Sequence, residues 1–139
     1  MTLKELINKL LKTARKQPNI GYTGEGDIYT LNTMKNIEYS VFFVTQQQHQ
    51  QSEDIITYNL ILYYIDRLVE DDANMLDIHS NGIIQLGNII NTFINENDDA
   101  VVNYNINFTT FNHKFADKCA GVYATISVDV PNNIGLCNF

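Results

Sequence analysis

Residues 119–139 read CAGVYATISVDVPNNIGLCNF, and from Val122 apolar and polar residues alternate without a break. Val122, Ala124, Ile126, Val128 and Val130 fall on one side; Tyr123, Thr125, Ser127 and Asp129 fall on the other. Successive strand residues point to opposite faces, so a period of two over this length specifies a half-buried antiparallel strand. Pro131 has no N–H to give to a ladder and ends the strand, and Asn132-Asn133 turn the chain. VVNYNINFTT, residues 101–110, alternates as cleanly, with Val102, Tyr104, Ile106 and Phe108 inward and Asn103, Asn105, Asn107 and Thr109 outward. The two stretches pair as a hairpin through FNHKFADKC.

A strand with one apolar face needs a cover, and two segments carry the helical period that supplies one. Thr2 and Glu5 have capping-box spacing, followed by Leu3, Leu6, Ile7, Leu10, Leu11 and Ala14 through Lys16, with Pro18 as the stop. In EDDANMLDIHSNGIIQLGNIINTFINEN, the residues Leu76, His79, Ile83, Leu86, Ile90 and Phe93 step by three and four and predict the principal helix. Ser80 or Asn81 are alternative caps for a later start. Gly82 and Gly87 cost helix stability and predict close packing against the sheet. Between the helices, IEYSVFFVT (37–45) and ITYNLILYYIDRL (56–68) read as strands flanking a polar tip, QQQHQQSED (46–54). Their middles are apolar on both faces, which calls for cover on each side from a helix or a second subunit. DIYTL reads as a short additional strand. The expected fold is α+β: an antiparallel sheet of two hairpins packed by an N-terminal helix and one long central helix, in one domain of 139 residues.

Net charge is −7 and is unevenly placed. Lys4, Lys9, Lys12, Arg15 and Lys16 against Glu5 give residues 1–16 a charge of +4; the remainder, with four bases and fifteen acids, carries −11. A basic end on an acidic body suits contact between copies or with an acidic partner, and disfavours gross binding of nucleic acid, whose phosphates the body repels. The alternative is a solvated helix face. No apolar run has the length of a bilayer span and TLKELINKLLKTARK lacks a signal-peptide core, so the expectation is a cytosolic product with Cys119 and Cys137 reduced.

Candidate chemistry is sparse. Gly24-Glu25-Gly26 is no phosphate loop, because no Gly-Lys-Ser/Thr follows. Cys119, Cys137 and His113 lack the C-x-x-C or H-x-x-x-H spacing of a zinc site. A Cys119 nucleophile with His113 or His79 would need an orienting group and an oxyanion hole. His79, on the apolar stripe, reads as a satisfied core residue. Asp66, Glu70, Asp71, Asp72 and Asp77 lack the pattern of a calcium loop and read as a solvated turn before a helix. Asp66-Arg67 reads as a structural ion pair or a contact to a neighbour. Neither a cofactor nor a metal is expected, and the function is expected to reside in surfaces.

Several segments together carry a resemblance: GDIYTLN, IEYSVFFVTQ, YYIDRLVEDDANMLDIHSNGIIQLGNIIN and FADKCAGVYATISVDVPNN with a following Cys. Through about residues 20–137 the chain resembles neck proteins of tailed phages of Bacteroides, the crAss-like group included. The order helix, long-tipped hairpin, helix, hairpin also resembles the tail-terminator or tail-completion fold. The resemblance implies a non-enzymatic virion protein made in the bacterial host cytoplasm and assembled as an oligomeric ring. Its partners would be further copies of itself, neighbouring neck rings, and the portal or tail tube. DNA would only pass through the channel, and no membrane is involved. Lys9, Lys12, Arg15 and Lys16 are the candidate subunit contact. Gln47, Gln48, His49 and Gln50 at the tip are candidates to face the channel or the next ring, and Asp66 and Arg67 to reach a neighbour. Two other classes stay open: a non-virion phage protein that binds a host partner, and a small thiol or metal-dependent enzyme.

Overall fold

Thr2 caps the first helix as its spacing predicts: its Oγ1 accepts the Glu5 N–H at 3.2 Å, and α1 runs Leu3–Arg15. The computed structural model describes residues 1–33, 36–103, 105–114 and 118–132, the side chains of His113 and Lys114 excepted. After α1 come β1 (Tyr22–Glu25), β2 (Val41–Gln46), β3 (Gln50–Gln51), β4 (Ile55–Arg67), α2 (Met75–Glu96), β5 (Val101–Val102), β6 (Phe108–Lys114) and β7 (Cys119–Pro131). The described residues form a single sheet in the order β1-β2-β4-β7. β3 pairs with the tip end of β4, and β5 and β6 both pair with β7. All pairings are antiparallel except β1 with β2, which is parallel. The fold is α+β, with the N-terminal helix and the long helix packed against the sheet.

The helices cover one face. Leu6 and Leu10 of α1 and Leu86, Ile89 and Phe93 of α2 bury against Phe42, Leu60, Leu62, Val122, Ala124, Ile126 and Val128. The five residues that alternate inward on β7 are each at most 1% exposed. A smaller core lies on the other face, where Ile28 and Leu31 pack on Val41, Phe43, Ile65, Phe111 and Cys119. The two-sided apolar character of β2 and of the end of β4 is thus met in part within the chain.

That second core explains where one expected strand went. DIYTL does not form a strand; Ile28–Thr33 is a 3₁₀ helix, and the strand lies earlier, at Tyr22–Glu25. Ile28 and Leu31 are three apart, so one 3₁₀ turn aims both at the sheet. The 101–110 stretch is not one strand either. β5 stops at Val102, where the Asn103 side chain accepts the Ser127 N–H at 2.8 Å in place of a backbone carbonyl, and pairing resumes at Phe108. Tyr104 lies outside the described residues. Nor does α2 start late: Ser80 and Asn81 are inside it, and Asn74 at its start instead ties the preceding turn, accepting from Val69 N and donating to Arg67 O. Its buried stripe is Ile78, Gly82, Leu86, Ile89, Ile90 and Phe93, so Leu76 and Ile83, expected inward, point out. His79 is half-buried, with a ring nitrogen 3.0 Å from the Phe111 carbonyl.

The two helix glycines separate cleanly. A Cβ on Gly82 would stand 2.7 Å from Cγ2 of Val122 and 3.0 Å from Cδ1 of Tyr64, while one on Gly87 would meet nothing within 4 Å. Val122 is fully buried and stiff at χ1, so it cannot yield. Gly82→Ala should therefore destabilise by about 1–3 kcal/mol through overpacking, outweighing its helix-propensity gain. Gly87→Ala should stabilise the monomer by about 1 kcal/mol. Urea unfolding of both variants measures the signs; equal shifts would contradict the packing of α2.

Candidate interaction surfaces

The candidate residues sit in three separate places. Lys9, Lys12 and Lys16 line a cleft of about 230 Å³ between α1 and the end of α2, with Thr13, Glu96 and Asn97. α2 has no basic residue in its last turn; the Asn97 side chain donates to the Phe93 carbonyl at 2.9 Å, and the lysines of α1 bring positive charge to the same end. Lys16 Nζ stands 3.7 Å from Glu96 Oε1, with both side chains about half exposed, so this pair contributes at most about 1 kcal/mol. Arg15 points elsewhere, its Nε donating to Thr23 Oγ1 of β1 at 2.9 Å.

At the tip, Gln47, Gln48 and Gln50 share a shallow hollow with Asn59 of β4. A solvated loop is the sequence expectation, but β4 holds this one. Asn59 Nδ2 donates to Gln48 O at 2.7 Å, Gln47 N donates to Asn59 O at 2.9 Å, and Asn59 N donates to His49 Nδ1 at 3.1 Å. With Nδ1 accepting, neutral His49 carries its proton on Nε2 and donates it to Gln46 Oε1 at 3.2 Å. The ring also stands edge-on to Tyr58, centroids 5.5 Å apart.

Asp66 and Arg67 lie at the other end of β4, eight residues and about 25 Å beyond Asn59. Neighbours on a strand point to opposite faces, so the expected Asp66–Arg67 pairing gives way to two separate contacts. The Arg67 guanidinium lies over the Tyr39 ring, 4.9 Å from its centroid. Asp66 Oδ2 accepts from Ser40 Oγ at 3.0 Å, and Ser40 Oγ is 2.9 Å from Tyr64 Oη. Since the serine proton goes to the carboxylate, the Tyr64 hydroxyl donates to Ser40, giving a directed chain Tyr64→Ser40→Asp66. Sequence reading missed Ser40 and Tyr64; the only signal was two polar atoms at strand positions that otherwise read as core. Burial pushes the Tyr64 phenol up, Asp66 adds to this, and the Ser40 contact opposes it. Burial also raises Tyr58 and Tyr63.

The residues considered for chemistry stay apart. Cys119 is 1% exposed on β7 and its Sγ lies 3.4 Å from Tyr39 Oη, so it is not presented to a substrate. Cys137 and the His113 side chain lie outside the described residues. Glu70–Asp72 form a tight turn in which Asp71 and Asp72 take left-handed backbone angles, φ 59° and 54°, a conformation short polar side chains tolerate. Among the described residues, no three of His, Cys, Asp or Glu gather as a metal site, and no helix is long and apolar enough to cross a membrane. No protein-family model matches the chain, and no curated protein is significantly similar to it.

A neutral buried phenol ties alkaline pH to stability. A phenol whose folded pKa is raised contributes stability that is complete below the unfolded value near 10 and is lost as pH rises through the folded value. Thermal midpoints should hold between about pH 7 and 9 and fall above about 10. Tyr64→Phe should cost about 1 kcal/mol at neutral pH and make the alkaline fall shallower. Parallel alkaline falls in the two proteins would contradict the placement of this hydroxyl.

Proposed function

We propose that the chain is a structural virion protein that forms an oligomeric ring in the neck of a tailed phage, joining head or portal to tail and leaving a channel for DNA. The observation that carries this reading is the uneven placing of charge, basic on the exposed side of α1 and acidic around α2. The basic residues are concentrated on α1, which packs against α2 as well as β1 and β2, whereas seven acids and no Lys or Arg occupy residues 68–113, the stretch that contains α2 and most of β6. Complementary patches at different places on one chain are what a heterologous contact needs, and heterologous contacts that close make rings. An acidic body also lets DNA slide past without holding it. The resemblance to neck proteins of the crAss-like group supports the same reading. In this reading α1 makes a subunit contact, and the braced tip at Gln47–Gln50 faces the channel or the adjacent ring.

A second reading, a non-virion phage protein bound to a host partner, has one observation in its favour. On the face away from the helices, Tyr29 is 61% exposed near the half-buried Tyr63 and Tyr123, and tyrosine is enriched at partner contacts.

Quantitative mass spectrometry of purified virions separates the two. Copies equal to the portal identify a connector ring matched to it, and half as many identify a terminator matched to a sixfold tube. Absence from the particle would sink the neck reading in favour of the host partner.

A further inference from the structure

α2 has a second apolar face that no described residue of the chain covers. Leu76, Ile83, Gly87 and Ile94 are spaced seven, four and seven apart, which at about 100° per residue places them along one line of the helix. Leu76 is 78% exposed, Ile83 40% and Ile94 39%, and Ile84 beside them is 55% exposed. Four large aliphatic side chains exposed along one flank of a helix, with Ser80, Gly87 and Asn91 between them, suit a contact surface. The line lies on the flank away from α1. Glu96 of α2 reaches α1 through Lys16, and His79 reaches β6 at Phe111. Ile83, one turn after His79, is rotated about 40° beyond it, further from α1.

Gly87 sits in the middle of this line. A glycine in a helix interior costs about 1 kcal/mol relative to alanine. Gly82 has a packing reason for that cost and Gly87 has none, since a Cβ there would meet nothing within 4 Å. A residue that gives up stability with no internal return fits a place where an outside backbone approaches closely.

Charge selects the occupant. Glu70, Asp71, Asp72 and Asp77 flank the line at one end and Glu96, Asp98 and Asp99 at the other, with no Lys or Arg anywhere in 68–113. Packing two α2 helices against each other would set acid against acid. The exposed side of α1 carries Lys4, Lys9 and Lys12, whose stems can lie on aliphatic surface while their ammonium groups reach the flanking acids. Its length, about 20 Å, fits within the line of about 27 Å. We infer that the Leu76–Ile83–Gly87–Ile94 face of α2 receives α1 of a second copy of this chain, as a head-to-tail contact. The inference rests on the ring reading above and names the surfaces that would build the ring.

Two variants and their mixture test it by native mass spectrometry and sedimentation. One breaks the donor surface (Lys4→Glu with Lys12→Glu), the other the receiving surface (Leu76→Lys with Ile83→Lys); both change exposed positions, and circular dichroism verifies that each folds. The wild type should self-associate, each variant alone should be monomeric, and an equal mixture should give a one-to-one heterodimer that grows no further, because each variant keeps one intact surface. Gly87→Arg should weaken association at least about tenfold without lowering the unfolding midpoint. A donor-surface variant that still dimerises, a mixture that stays monomeric, or a wild type that is monomeric throughout would each overturn the inference. The neck reading is judged apart from this, by copy number in virions: a ring present in particles whose assembly survives both variants would refute only the contact.

Discussion

The antiparallel ladder between β4 and β7 is the interaction on which the rest depends. It pairs thirteen residues of each strand, from Ile55 opposite Pro131 to Arg67 opposite Cys119, so it spans the whole height of the sheet. Each strand in turn carries the shorter ones: β2 and β3 on the outer side of β4, β5 and β6 on the outer side of β7. The helical layer is registered to the same ladder. Gly82 of α2 sits on the cross-strand pair Tyr64 and Val122, and the hydroxyl of that tyrosine begins the chain through Ser40 to Asp66. A slip of one residue between β4 and β7 would turn Leu60, Leu62, Ile126 and Val128 to the other face and remove the floor beneath both helices.

Much of this was legible in the sequence because it is periodic. The alternation from Val122 to Val130, the N-cap at Thr2 and the long strand after the polar tip each follow from local rules and are present, whereas the strand before the tip is shorter than the 37–45 expected, running Val41–Gln46. What the sequence concealed depended on non-local choices. α2 has aliphatic residues on more than one face, so Leu76 and Ile83 fit a three-and-four stripe as well as Ile78 and Gly82 do; only the close approach of Val122 decides between them. DIYTL has strand-forming residues, yet it caps the second apolar face as a 3₁₀ turn. The 101–110 alternation is interrupted because Asn103 can imitate a ladder carbonyl. Its pattern of polar residues facing out was read correctly, but not that one of them would take over a backbone bond.

The candidate surfaces follow the same division. That α1 is basic was visible, and so was the polarity of the Gln47–Gln50 tip. That Lys16 meets Glu96 at the end of α2, that Asn59 and His49 brace the tip, and that Asp66 and Arg67 part to Ser40 and Tyr39 required the elements to be in place. The proposed ring unites these features through one physical idea: a chain that concentrates positive charge on one helix and negative charge around another holds complementary surfaces that a single copy does not exhaust.

That idea is tested most directly by the salt dependence of self-association, followed by sedimentation between about 50 and 500 mM salt. If the oppositely charged surfaces of neighbouring copies hold the ring, the dissociation constant rises steadily as the charges are screened. Association that is unchanged or strengthened by salt would contradict the account and assign the contact to apolar packing between like-charged faces.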